Sequence, residues 1–159
     1  MFQLSEEGKA FVKKQLTRFE QKESAIIPSL YRVQDENNGW VSPEAIDHLS
    51  ELMDIPTSRI QEVMKFYTMF NTKPRGKYHV QVCTTLTCGM LGARELCRDL
   101  MKEHGVSKHG EVSKDGRFSF SHVECLGSCD TAPVMQINRE PYQENLNFEK
   151  AAKILKELK

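Results

Sequence analysis

Tyr78-His79-Val80-Gln81-Val82-Cys83-Thr84-Thr85-Leu86-Thr87-Cys88 is the stretch on which the reading of this chain turns. Residues 78–82 alternate and carry two valines, a pattern that predicts a β-strand. The strand runs directly into Cys83, and Cys88 follows at C-x4-C spacing. The arrangement recurs further on. Phe118-Ser119-Phe120-Ser121-His122-Val123 reads as a second strand, and it delivers Cys125-Leu126-Gly127-Ser128-Cys129, a C-x3-C pair. Strand ends bring together loops that are distant in sequence. Cys83, Cys88, Cys125 and Cys129 are therefore expected to converge on one centre.

Between the two pairs, Ala93, Leu96, Cys97, Leu100 and Met101 recur at helical spacing and predict an amphipathic helix closed by Gly105. Asp115-Gly116 marks a turn before the second strand. Pro133 opens a third strand over Val134–Asn138, and a short edge strand is expected at Tyr142. A last helix follows, capped by Asn145 or Asn147, with Ala151, Ile154, Leu155 and Leu158 on one face. A strand–helix–strand unit followed by two antiparallel strands under a final helix is the layout of a thioredoxin-like α/β domain with a mixed four-stranded sheet. Its expected extent is residues 75–159.

Residues 1–74 read as a helical bundle domain, so the fold class is α+β. Ser5 precedes Glu6 and Glu7 as an N-cap, and Phe11, Val12, Leu16 and Phe19 give a helical period. A second helix is expected from near Ala25 to Asn37. Ser42-Pro43 opens a third, in which Ile46, Leu49 and Met53 turn inward. Thr57 or Ser58 caps a fourth, with Ser58 and Gln61 as a capping box and the apolar side running through Ile60, Val63, Met64, Tyr67 and Phe70. The aromatic and Met-rich Phe66–Phe70 is expected to pack as core against the second half, with a partner surface as the alternative. The third and fourth helices invite a helix-turn-helix reading, but only Arg59 and Lys65 supply charge on the latter, too little for a DNA-reading face. Asn71–Gly76 is a breaker cluster and the expected boundary.

Composition excludes several classes. The 159 residues carry 22 Lys+Arg and 22 Asp+Glu, so nothing favours a nucleic-acid partner. No apolar run approaches the length of a membrane span, so no direct insertion is expected. Met1–Glu7 lacks the features of a signal or transit peptide. A reducing cytoplasm is the expected location, where clustered cysteines bind metal or do redox work more often than they form structural disulfides. Five cysteines, an odd number, also speak against a pure disulfide framework.

Thiolates are soft ligands, suited to zinc or to an iron–sulfur cluster. Zinc knuckles commonly use C-x2-C, whereas the gaps here are four and three residues. A [2Fe–2S] cluster spreads two cysteines over each of two irons and suits wider loops. Gly127 within the second loop, and Gly89 and Gly92 beside the first, allow backbone N–H groups to approach sulfur. A helix beginning near Gly89 would point its positive end at Cys88. Spacing alone thus favours [2Fe–2S] over a zinc site and over a redox dithiol, and leaves all three open. His79 and His122 lie outside the pairings of a Rieske centre and read as satisfied surface or core histidines. Cys97 reads as a buried small hydrophobe. Glu124 and Asp130 flank the second pair and are expected to be solvated.

The chain resembles the small, E-type [2Fe–2S] subunits of the NADH dehydrogenase module of respiratory complex I, which are thioredoxin-like ferredoxins. The likeness rests on Cys83-x4-Cys88 with Gly92, on Glu124-Cys125-Leu126-Gly127-Ser128-Cys129, and on Ala132-Pro133-Val134-Met135-Gln136-Ile137-Asn138. It extends to Phe66–Phe70 and to Tyr142–Leu158. The resemblance implies that Cys83, Cys88, Cys125 and Cys129 hold one [2Fe–2S] cluster, with no catalytic residue on this chain. It implies a role in NADH:quinone oxidoreductase, beside a larger subunit that binds FMN, NADH and a [4Fe–4S] cluster. The small cluster would exchange single electrons with that flavin, off the main electron path, on the cytoplasmic peripheral arm of a membrane complex. Related subunits serve NAD-linked hydrogenases and formate dehydrogenases, so that role is the alternative. No G-x-G-x-x-G follows a strand, and no NADH site is expected here. The last helix opens Leu146-Asn147-Phe148-Glu149 where relatives often carry Leu-Thr-Pro-Glu; Asn147 can still cap.

Overall fold

A computed structural model describes residues 2–158 and divides the chain into two compact units, Met1–Pro74 and Arg75–Lys159.

The first unit is helical. α1 (Glu6–Arg18) starts where the Ser5 hydroxyl accepts the Gly8 N–H at 3.0 Å, with Glu6 and Glu7 in the first turn. A 3-10 turn (Lys22–Ala25) leads into α2 (Ile26–Glu36), which carries Pro28 in its first turn, where no intrahelical donor is needed. α3 (Pro43–Met53) has the Ser42 cap and proline at its start, and its C-cap Asp54 is left-handed at φ 51°. α4 spans Thr57–Phe66. Val12, Leu30, Val33, Ala45, Leu49 and Ile60 are fully buried together. Glu36 ties α1 to α2 by accepting from Ser5 N (2.7 Å), Ser5 Oγ (2.8 Å) and Arg32 Nε (2.6 Å). Burial pushes its carboxyl up, but the Ser5 and Arg32 donors outweigh that and hold it below the usual range.

Two expectations fail in α4. No side chain caps it: Pro56 occupies the N-cap position, so neither Thr57 nor Ser58 serves. The helix also stops at Phe66, because Tyr67 turns extended (φ −93°, ψ 115°). Only Phe70 of the aromatic run reaches the core, against Tyr31 at 5.1 Å between ring centroids. Phe66 is 78% exposed, and Tyr67 and Met69 are 37% exposed, so the run is not core packing.

The second unit is built on β1 (Tyr78–Cys83). It is followed by a short helix α5 (Leu86–Met90), α6 (Ala93–Glu103), β2 (Phe118–Val123), β3 (Met135–Ile137) and α7 (Phe148–Glu157). β1 is central, parallel to β2 from Tyr78↔Phe118 to Cys83↔Val123 and antiparallel to β3 from Val80↔Ile137 to Val82↔Met135. The parallel pairing requires the α6 crossover. The sheet has three strands, not four. The expected edge strand at Tyr142 shrinks to one bridge, Met135↔Gln143. Pro141 has no N–H to give a ladder, and Asn145, at φ 49°, turns the chain away. Val80, Val82, Phe118, Phe120, Leu100 and Leu155 form the core of this unit. α7 is capped by Asn147 Oδ1, which accepts Lys150 N–H at 2.8 Å.

His79 is a satisfied core histidine on the opposite sheet face from Phe118 and Phe120. Its Nδ1 and Nε2 each meet a hydroxyl at 2.9 Å, from Ser119 and Ser121 respectively. Burial first, and then the charge of Arg75, lower its pKa from 6.5 to about 4. The folded chain thus keeps His79 neutral while the unfolded chain protonates it. Stability is full above pH 6.5 and falls as pH drops toward 4, with a limiting slope of about 1.4 kcal/mol per pH unit. Urea midpoints measured by circular dichroism should follow that fall, and His79→Gln should flatten it. Equal slopes in the two proteins would remove His79 from the account. Gly76 tests the packing at the entry to β1. A methyl group there would lie 2.5 Å from the Phe118 carbonyl carbon and 2.8 Å from its Cα and oxygen, all backbone atoms. Gly76→Ala should cost about 2 kcal/mol in the same measurement.

Candidate metal centre

β1 ends at Cys83, whose N–H bonds to the Val134 carbonyl at 3.1 Å. That bond anchors the first cysteine beside the chain that leaves the second pair. Cys83 Sγ lies 3.2 Å from the Thr85 hydroxyl. Burial raises its pKa, but the Thr85 hydroxyl and the backbone N–H groups of Leu126 and Thr85 outweigh it, so the thiol is held below its ordinary value. Cys88 sits inside α5, two residues past its first, and not at the mouth of a longer helix. α6 begins only at Ala93, after Gly92 takes φ 84°, so the expected helix end at Cys88 is replaced by a helical turn that carries it. The Cys88 thiol is pushed up, by burial first and then by the adjacent Cys83 sulfur, with the Cys129 charge adding to it and a Val134 N–H opposing.

The second pair lies in the loop after β2. Cys125 and Cys129 are exposed, whereas Cys83 and Cys88 are buried. Gly127, at φ 78°, turns its N–H to Cys125 Sγ at 3.4 Å. Cys129 begins a 3-10 turn, Cys129–Thr131. Cys83, Cys88 and Cys129 are thereby in electrostatic contact, with N–H groups of Leu126, Gly127 and Val134 directed at sulfur. This donor set suits an anionic, thiolate-bound group. Among the described residues, no three of these sulfurs lie within 4.8 Å of one another, whereas Cys97, His109 and His122 present ligand atoms that do.

One acid that the sequence does not point to holds the second loop. Glu144 Oε1 accepts from the Ser128 hydroxyl at 2.5 Å and the Thr131 hydroxyl at 2.9 Å, and these two bonds keep its carboxyl below the usual range. Asn145 N–H to the Thr131 carbonyl (2.7 Å) and Leu146 N–H to the Pro133 carbonyl (3.0 Å) extend the clamp. Glu124 and Asp130 are exposed, as their positions suggested. Beside the cysteines, Leu86 and Met90 are each 79% exposed and Leu91 is 56% exposed, an apolar rim on α5 and its end. Cys97 is fully buried in α6.

Comparisons with known proteins identify the family. The family described as thioredoxin-like [2Fe–2S] ferredoxin matches residues 12–159. The E-type subunit of the NADH-quinone oxidoreductase of Rickettsia prowazekii is 44% identical over 138 residues, 87% of this chain and 77% of that protein. NADH-quinone oxidoreductase subunit 2 of Thermus thermophilus is 47% identical over 125 residues, 79% of this chain and 68% of that protein. Among solved structures, an NAD+-reducing [NiFe]-hydrogenase in its H2-reduced state superposes with a TM-score of 0.71 over 82% of this chain at 19% identity. This chain spans about a fifth of that one (21%), and the likeness is one of fold. With nearly its whole length matched by the family and two relatives above 40% identity, the chain belongs to the thioredoxin-like [2Fe–2S] ferredoxins.

Proposed function

We propose that this chain is the small electron-carrying subunit of an NADH–quinone oxidoreductase, holding one [2Fe–2S] cluster on Cys83, Cys88, Cys125 and Cys129. The observation that carries the reading is the meeting of two cysteine loops under backbone N–H groups directed at sulfur. Such donors stabilise thiolates that bind iron and the added charge on reduction. The chemistry the cluster would supply is exchange of single electrons with a flavin. Residues 75–159 form the cluster-bearing domain, and residues 1–74 a separate helical one.

The flavin belongs to a larger partner that binds FMN, NADH and a [4Fe–4S] cluster. The exposed Leu86, Met90 and Leu91 beside the cysteines support a docked partner there. Among the described residues no helix is long and apolar enough to cross a membrane. A place on the cytoplasmic peripheral arm of a membrane complex fits that. The corresponding subunit of an NAD-linked hydrogenase or formate dehydrogenase is the second reading, favoured by the fold shared with the hydrogenase. The partner that co-purifies separates the two.

Electron paramagnetic resonance with iron and sulfide counting tests the cluster. The oxidised protein should be silent, and dithionite should bring up an S = 1/2 signal with about two irons per chain. Cys→Ser at any of the four positions should abolish or destabilise the signal, while Cys97→Ala should leave it. Zinc in place of iron would instead make this a structural module. Glu144→Gln provides a second test. It keeps hydrogen-bonding capacity near Ser128 and Thr131 but removes a negative charge near the centre. Iron content should persist, and the midpoint potential should rise by on the order of tens of millivolts. An unchanged midpoint would mean that solvent screens this carboxylate.

A further inference from the structure

Apart from the four cysteines that follow β1 and β2, three other ligating side chains converge. Cys97 is on the inward face of α6 and fully buried. His122 is on β2, two residues beyond Phe120 and on the same face, opposite Val82 of β1 in register. His109 comes from the connection between α6 and β2. That connection is held rather than loose. Gly110 N–H bonds to the Phe120 carbonyl at 2.8 Å, and the Glu111 carboxylate accepts the Ser107 and Lys108 N–H groups, both at 3.1 Å. These bonds hold His109 beside His122, with ring centroids 4.0 Å apart and planes at 51°. One ligand atom from each of Cys97, His109 and His122 lies within 4.8 Å of the others.

We propose that Cys97, His109 and His122 form a second metal site that takes one zinc-class divalent ion, separate from the four-cysteine centre. One thiolate and two imidazoles are a borderline-soft set, matched to Zn2+ and poorly matched to Mg2+ or Ca2+. Three protein ligands leave a fourth position. Both histidines are exposed, so that position faces solvent and takes water. Binding displaces the Cys97 proton to solvent and leaves a thiolate on the ion, with net charge +1 at the site. Burial raises the Cys97 pKa to about 11, so this proton is held firmly and zinc affinity should rise with pH. Burial first, then His109 and Arg94, lower the pKa of His122, which keeps that imidazole neutral and available to ligate. Arg94 also repels the incoming cation.

The test uses purified protein with its iron content measured, titrated with Zn2+ in equilibrium dialysis and with Co2+ as a spectroscopic probe. One zinc per chain should bind without loss of iron. His109→Ala and His122→Ala, both at exposed positions, should weaken it at least about tenfold. Arg94→Ala should tighten it by about threefold. Co2+ should give a sulfur-to-cobalt charge-transfer band, absent from Cys97→Ser. Zinc uptake indifferent to both histidine substitutions, or uptake only as iron leaves, would overturn the proposal. Iron loss in Cys97→Ser would count against the four-cysteine assignment instead, so failures of the two sites read out separately.

Discussion

A single backbone hydrogen bond, from Cys83 N–H to the Val134 carbonyl, is the constraint on which the cysteine-bearing half of this molecule depends. It joins the end of the central strand to the segment that leaves the second cysteine loop. The Cys83↔Val123 pairing brings the start of that loop alongside the end of β1, and this bond fixes where the loop ends against it. With it, Val134 directs its carbonyl at one cysteine's backbone and its N–H at another's sulfur. The two sequence-distant loops meet there: Leu126 N–H reaches the Cys83 sulfur and Val134 N–H the Cys88 sulfur.

The two faces of the sheet divide the labour. On one face Phe118 and Phe120 pack beneath α6, and His104 lies 4.3 Å, centroid to centroid, from Phe118. On the other, both ring nitrogens of His79 are satisfied by serines of the neighbouring strand. Parallel pairing is what makes both arrangements possible. It sets Ser119 and Ser121 on either side of His79, and it places His122 at the α6 side.

Features set by a few neighbouring residues were legible in the sequence. Ser5, Ser42 and Asn147 cap helices as their positions suggested, because a cap is a contact over three residues. The strands before the cysteine pairs and the helix through Cys97 were legible for the same reason: their period is local. Three other features escaped. Periodicity through Tyr67 and Phe70 extended α4 beyond Phe66, because spacing cannot distinguish a buried aromatic from an exposed one. α5 is only five residues, too short to show a period. The edge strand looked plausible from Tyr142, but a ladder needs a donor at every second residue, and Pro141, two before the bonded Gln143, has none. In the site, cysteine spacing was plain, whereas the Glu144 clamp was not. It joins residues 16 apart in sequence through hydroxyls that match no motif. The grouping of Cys97 with two histidines likewise requires the strand register.

The Glu144 clamp has a consequence for biosynthesis. On a ribosome, Cys125 and Cys129 emerge before Gln143, Glu144, Asn145 and Leu146, the residues that hold their loop. The bonds from those residues that hold the loop run backward along the chain, to Ser128, Thr131, Pro133 and Met135. Both pairs wait for chain that follows them: the first for Val134, whose carbonyl accepts the Cys83 N–H, and the second for the segment that leads into α7. The nascent chain therefore passes through a stage in which all four thiols are present and neither loop is yet held. The contacts that join the two loops form only once the chain to Leu146 has been made.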